Sequence, residues 1–286
     1  MIIDMHTHCF PDPLAKKAMP MLAMRSGNPY PAFDGTASGL RESVISGGAD
    51  RAAVLNIATN AHQQTKVNDF AISLLSDDVL IPFGSVHFES PDALSELDRL
   101  HDAGIKGIKL HPDYQGFFAD DERMFPIYEK IGSLGMITVF HAGVDIGVPD
   151  PVHCTPQMLK KILPRFGGAP VIAAHMGGFL LWREAAELLG GTGIYIDTAF
   201  SSGSVPPPWA KESIAAFGAD HVLFGSDNPW SATGRELAFV RSFWSGFLLV
   251  YPIIFSIALS NASFCSGRRF CGPFILPPAM RIFFVS

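Results

Sequence analysis

Ile2-Ile3-Asp4-Met5-His6-Thr7-His8 is a short apolar run that ends in two histidines one residue apart. Side chains on a strand alternate faces with period two, so as a strand this segment points His6 and His8 the same way, a two-pronged clamp. Four further apolar runs close in the same manner: Gly107-Ile108-Lys109-Leu110-His111, Ile137-Thr138-Val139-Phe140-His141, Val171-Ile172-Ala173-Ala174-His175 and Val222-Leu223-Phe224-Gly225-Ser226-Asp227. Each ends on an imidazole or a carboxylate, the side chains that bind zinc and similar ions.

Working outward from these runs, periodicity gives strands and amphipathic helices in strict turn, the pattern of a parallel sheet with crossover helices. The strands fall at about residues 2–8, 51–58, 80–88, 105–111, 137–142, 170–175, 194–198 and 221–226, each rich in Ile, Val, Leu or Phe. Runs of that kind are buried on both faces. The clearest helix covers Ser90 to Leu100, with Ser or Asp as N-cap and Gly104 as the stop. Helices also fit Met124 to Leu134, Pro156 to Phe166, Leu181 to Leu189 and Ala210 to Phe217. Eight such units predict an α/β fold, a single-domain (β/α)8 TIM barrel over residues 1–241, with reactive side chains where strands end and loops begin. One buried histidine is ordinarily a core residue with a hydrogen-bond partner; histidines recurring at equivalent strand ends point instead to a shared site.

A chain of 286 residues with 48% hydrophobic residues is long enough for one large core. The net charge of -6 and the absence of a dense Lys/Arg cluster exclude a phosphate-tracking surface, so a small-molecule substrate is expected and nucleic acid is not. Cys9, Cys154, Cys265 and Cys271 are too scattered for a disulfide framework or a zinc knuckle, which fits a reducing cytoplasm. The first residues enter an apolar strand without a basic leader, so no secretory signal is expected.

Residues 242–286 break the pattern. They contain no Asp, Glu or Lys, yet hold eight of the 23 Phe and two of the four Cys. The run Phe243 to Leu259 is interrupted by Pro252 and Ser256 and is short of the ~20 apolar residues of a membrane span, so no membrane association is expected. A hydrophobic anchor and a segment translated out of frame both account for the tail. The second is preferred, because Gly234 to Val240 starts an amphipathic helix that then loses its polar face.

His6, His8, His141 and Asp227 together supply three imidazoles and one carboxylate, leaving a coordination position where bound water loses a proton near neutral pH. Asp227, in Gly225-Ser226-Asp227-Asn228-Pro229, can touch the ion and accept that proton; alone, such a segment is more often a turn or a helix cap. His175 precedes Met176-Gly177-Gly178, where the glycines allow close approach of substrate, and suits orienting the water or polarising a substrate oxygen. Lys109 and His111 share a strand face and should both reach the pocket, with Trp230 beside them past the eighth strand. Tyr114, Phe117 and Asp145 are placed by position either to line the mouth or to pack, and Asp197 to orient a histidine from behind. His62, His87, His101, His153 and His221 read as loop, helix-face or strand-edge residues.

These segments, in this order, resemble the amidohydrolase superfamily, in its amidohydrolase-related branch that includes aminocarboxymuconate semialdehyde decarboxylase. The matching pieces are Asp4-Met5-His6-Thr7-His8, Gly107 to Pro112, Phe140-His141-Ala142-Gly143, Ala174 to Gly178 and Gly225 to Pro229, so the resemblance spans residues 2 to about 240. It implies a barrel with one divalent ion, zinc by preference, held by His6, His8, His141 and Asp227, with His175 and Asp227 as catalytic groups. In binuclear relatives a carbamylated lysine on the fourth strand bridges two ions, a role open to Lys109; substrate-carboxylate binding is the preferred one. Oligomers are common in the family, so the resemblance also implies a homodimer as an expectation.

Three functions follow as expectations. The first is a metal-dependent hydrolase of an amide, ester or lactone. Next comes a zinc-dependent nonoxidative decarboxylase of an aromatic or enol acid, for which Lys109, Arg123 and Arg183 are the candidate cations. Last is a metal-binding barrel without catalysis, disfavoured because buried ligands are costly to keep without an ion.

Overall fold

The computed structural model describes residues 1–25, 30–148 and 150–243. Among them eight strands alternate with helices: β1 (Ile3–Thr7), β2 (Arg51–Leu55), β3 (Leu80–Phe83), β4 (Gly107–Leu110), β5 (Ile137–Phe140), β6 (Val171–Ala173), β7 (Tyr195–Asp197) and β8 (Val222–Leu223). Neighbours pair in parallel, β1-β2-β3 in one stretch and β4 through β8 in the other. Backbone bonds close both seams. The Lys109 amide donates to the Gly84 carbonyl at 2.8 Å, joining β3 to β4, and the Met5 amide donates to the Phe224 carbonyl at 2.7 Å, joining β8 to β1. The result is the closed (β/α)8 barrel that the alternation predicts.

The helices are α1 (Asp12–Arg25), α2 (Ala37–Ser46), α3 (Gln64–Ser73), α4 (Ala93–Ala103), the short α5 (Pro112–Gln115), α6 (Phe125–Ser133), α7 (Pro156–Ile162), α8 (Trp182–Leu189), α9 (Pro207–Phe217) and α10 (Thr233–Phe243). Gly104 caps α4 with φ 100°, as its position predicts. The segment expected as one helix from Pro156 to Phe166 leaves the α form at Ile162 and continues as a 3-10 turn over Leu163–Phe166. Pro164 has no amide hydrogen to continue the ladder there.

Several strands end earlier than their apolar runs. β6 stops at Ala173 because His175 and Met176 both take the left-handed conformation, with φ 59°. β8 is reduced to Val222–Leu223, since the chain then passes very close to β1: a Cβ on Gly225 would lie 2.9 Å from the His6 Cβ. The register of β1 against β2 shifts between Asp4 and Thr7, a bulge of the kind that re-aims side chains next to a site.

Ile81, Phe83, Ile137, Val139, Ile172 and Leu223 form one buried cluster between strands. A larger cluster packs Ile108, Leu110, Phe140 and Ala173 against Leu97 and Leu100 of α4, Ile131 of α6 and Leu159 of α7. These two layers fix the strand ends that carry the site. Ser242 and Phe243 complete α10, and the rest of the low-charge tail, with its apolar run to Leu259, lies outside the described residues. No helix among the described residues is long and apolar enough to cross a membrane.

Candidate metal centre

The C-terminal strand ends open on a cavity of about 570 Å³ lined by His6, His8, Lys109, His111, His141, His175, Asp227 and Trp230. All the side chains assigned to the site from sequence therefore reach one space. His8 Nδ1 lies 2.9 Å from the Leu55 carbonyl. A carbonyl only accepts, so Nδ1 carries the hydrogen and the Nε2 lone pair is left for the cavity. His6 reaches the same state by another partner, with Nδ1 at 2.8 Å from Asp197 Oδ2. The two Nε2 atoms then meet Asp227 Oδ1, at 3.5 Å from His6 and 3.2 Å from His8.

Those separations test the fit to a metal. Ligand atoms held tetrahedrally at about 2.0–2.1 Å from zinc lie about 3.4 Å apart, and the observed spacings bracket that value. Two deprotonated imidazole nitrogens and a carboxylate oxygen are also the donor set that such an ion takes. The residues fit.

His141, expected as the third imidazole, is turned elsewhere. His175 Nδ1 faces the Ala199 carbonyl at 3.2 Å and so carries hydrogen, which leaves His175 Nε2 to accept from His141 Nδ1 at 3.1 Å. The His141 ring is thereby fixed with Nε2 directed toward Asp145 Oδ2 at 3.8 Å, buried and without a hydrogen-bond partner. His111 completes this second group: its Nε2 is 3.5 Å from Asp145 Oδ2, and its ring stacks on His141 at 4.2 Å and on Tyr114 at 4.0 Å. Among the described residues the site thus holds three groups whose donor atoms lie close enough to share an ion, His6-His8-Asp227, His6-His175-Asp197 and His111-His141-Asp145, where the sequence pointed to one.

The model of the family described as amidohydrolase matches residues 3–245. This chain belongs to the amidohydrolase family. No curated protein matches it. Among solved structures, the amidohydrolase barrel is similar to 5-carboxyvanillate decarboxylase LigW from Sphingomonas paucimobilis, at 16% identity over 92% of this chain and 96% of that one, with TM-score 0.64. It is similar also to 5-carboxyvanillate decarboxylase LigW2 from Novosphingobium aromaticivorans, solved with bound manganese, at 14% identity over 84% and 90%, with TM-score 0.61. A Pseudomonas putida protein carrying the provisional name 2-pyrone-4,6-dicarboxylic acid hydrolase gives 15% identity over 84% and 89%, with TM-score 0.58. At these identities the likeness is one of fold. Amidohydrolases are enzymes, hydrolases and decarboxylases among them, and members of the family bind a divalent metal.

Electrostatics in the amidohydrolase site favour the protonation states that an ion needs. Burial, reinforced by the Lys109 ammonium, pushes the His6 imidazole well below its ordinary range, and burial with the neighbouring His111 does the same for His141. Burial would raise the Asp227 carboxyl, but the hydrogen bond from His8 and the positive charge of His6 and His175, when those rings are protonated, outweigh it and hold that group below the usual carboxylate range. Asp145 is raised, by burial first. Burial also lowers Lys109 to about 8. Its Nζ lies 3.4 Å from His6 Nε2.

Of the side chains with two readings, Phe117 takes the packing one, and two candidate cations lie away from the mouth of this amidohydrolase. Phe117 is 1% exposed and packs in the core. Arg123 pairs with Asp121 and stacks on Phe88, and Arg183 stacks on Trp209, so neither lines the cavity. Asp197, bonded to His6 and also accepting the His175 amide at 2.9 Å, stands in the orienting position its strand-end place suggested. What the sequence reading missed is the wall formed by Leu14, Ala18, Met21 and Leu22 of α1 with Val67 and Phe70 of α3. The signal was present: residues 14, 18, 21 and 22 recur at helical spacing, directly after Asp12-Pro13.

Proposed function

We propose that this amidohydrolase is a zinc-dependent hydrolase of a small-molecule amide, ester or lactone. The observation that carries the reading is the ionised Asp227 carboxylate set against His6 Nε2 and His8 Nε2 at the open end of the barrel. A divalent ion bound there supplies Lewis acidity, acidifying water and polarising a substrate carbonyl. His6 and His8 hold their lone pairs toward that position through Asp197 and the Leu55 carbonyl. Asp227 takes the proton of the attacking water. His175, bonded to His141, orients the water or the substrate oxygen, and Lys109 with His111 and Trp230 contacts the rest of the substrate head.

Nonoxidative decarboxylation is a second reading of the same site. Lys109, a buried cation at the cavity floor, suits a substrate carboxylate, and LigW, to which the barrel is similar, is a decarboxylase. The two separate in one experiment: lactones, esters, amides and aromatic acids are incubated with the zinc-loaded protein, and hydrolysis and carbon dioxide release are recorded in the same samples. Hydrolysis is expected. Carbon dioxide release without hydrolysis would overturn the first reading in favour of the second.

A further inference from the structure

A helix on the outside of a barrel needs one apolar stripe, facing the strands. α1 has two. Ala15, Met19 and Ala23 are buried against the fold, while Leu14, Ala18, Met21 and Leu22 line the cavity above His6 and His8. Leu14 is 49% exposed and Met21 51% exposed, so this second stripe stands open to water. Opposite it, α3 repeats the arrangement: Gln64, Asn68 and Ala71 are buried, and Val67 and Phe70 face the cavity. Two apolar helix faces thus extend the polar floor into one continuous space of about 570 Å³. That volume lies well within the range of pockets that enclose drug-sized ligands, and it exceeds what the floor residues alone need to hold a small polar head.

We infer that the substrate is amphiphilic: a polar head at His6, His8 and Asp227, joined to an acyl or aryl-alkyl tail lying between α1 and α3. This deepens the hydrolase reading and rests on it, making the scissile group an amide, ester or lactone of a chain-bearing acid. The tail is the occupant that explains the open stripe, because the apolar wall is continuous with the donor cluster and the flexible Met21 side chain can follow tails of different shape. Lys66 of α3 and Gln63, in the 3-10 turn just before that helix, are both exposed, border the same cavity and leave it one polar edge.

The test is calorimetric titration of the full chain with butanoate, hexanoate, octanoate and decanoate, with and without zinc. Affinity is expected to rise about three- to fourfold per methylene until the wall is filled. Ala18→Trp, which fills the space between the helices, and Met21→Ser, at an exposed position that folding tolerates, are both expected to reduce that increment. An affinity independent of chain length would overturn the inference. So would an increment that neither variant changes, since the tails would then lie elsewhere. Zinc is expected to strengthen every acid by a common factor without altering the increment. If zinc leaves all affinities unchanged while the increment persists, the metal reading fails and the tail site stands.

Discussion

Asp197 Oδ2 stands 2.8 Å from His6 Nδ1, and both side chains are buried. The same carboxylate accepts the amides of His175 and Ala199 through Oδ1, at 2.9 and 3.0 Å. It therefore fixes the His6 tautomer and the loop that carries His175. Replacing such a partner behind a metal-ligating histidine typically weakens metal binding about 10- to 100-fold. Asp197→Ala is expected to show a loss of that size in a competition titration with a chelator. Unchanged affinity would remove Asp197 from this role.

His8→Ala and Asp227→Ala should abolish zinc binding and turnover together, because each removes a donor from a three-atom cluster. Elemental analysis of the purified wild type is expected to give about one zinc per chain. Retained activity in either variant would take that residue out of the ligand set. Two tightly held ions would show that the unpartnered His141 Nε2, with His111 and Asp145, also loads.

Lys109 makes the stability of the metal-free protein depend on pH. Burial lowers its ammonium from the ordinary 10.5 to about 8, so between those values the unfolded chain binds the proton and the folded one does not. Stability must then rise as pH increases from about 8 toward 10.5, by up to roughly 3 kcal/mol. Urea unfolding midpoints of metal-free protein at pH about 7 and about 10 check the sign. Lys109→Met should be the more stable protein at the lower pH and lose this slope.

Gly143 sits just beyond His141, and its backbone pairs with Phe179 across the neighbouring loop. With φ 83°, a Cβ there would lie 2.2 Å from the Phe179 amide nitrogen, which is backbone and cannot step aside. Gly143→Ala should cost about 2–4 kcal/mol, read as a lower thermal midpoint. It should also raise KM, because the displaced loop carries Asp145.

The barrel was legible because its strands are apolar runs closed by His or Asp, a pattern that one linear pass reveals. Asp197 was legible for the same reason. The His141 orientation was not: it follows from a chain of acceptors, Ala199 carbonyl to His175 to His141, that links three separate strand ends. Sequence spacing places a ring at a strand end without stating which nitrogen is left bare. The α1 wall escaped because Pro20, inside the helix, interrupts the period that Asp12-Pro13 opens. Arg123 was misplaced because Asp121, two residues away, captures it locally.

The Asp227 amide donates to the His6 carbonyl at 2.8 Å across the seam between the last strand and the first. Donor atoms contributed from opposite ends of the described chain thus become neighbours only when the ring shuts. A nascent chain would have no complete chelate until its eighth repeat leaves the ribosome, and the ion, arriving last, would act as a clasp that reports a finished fold.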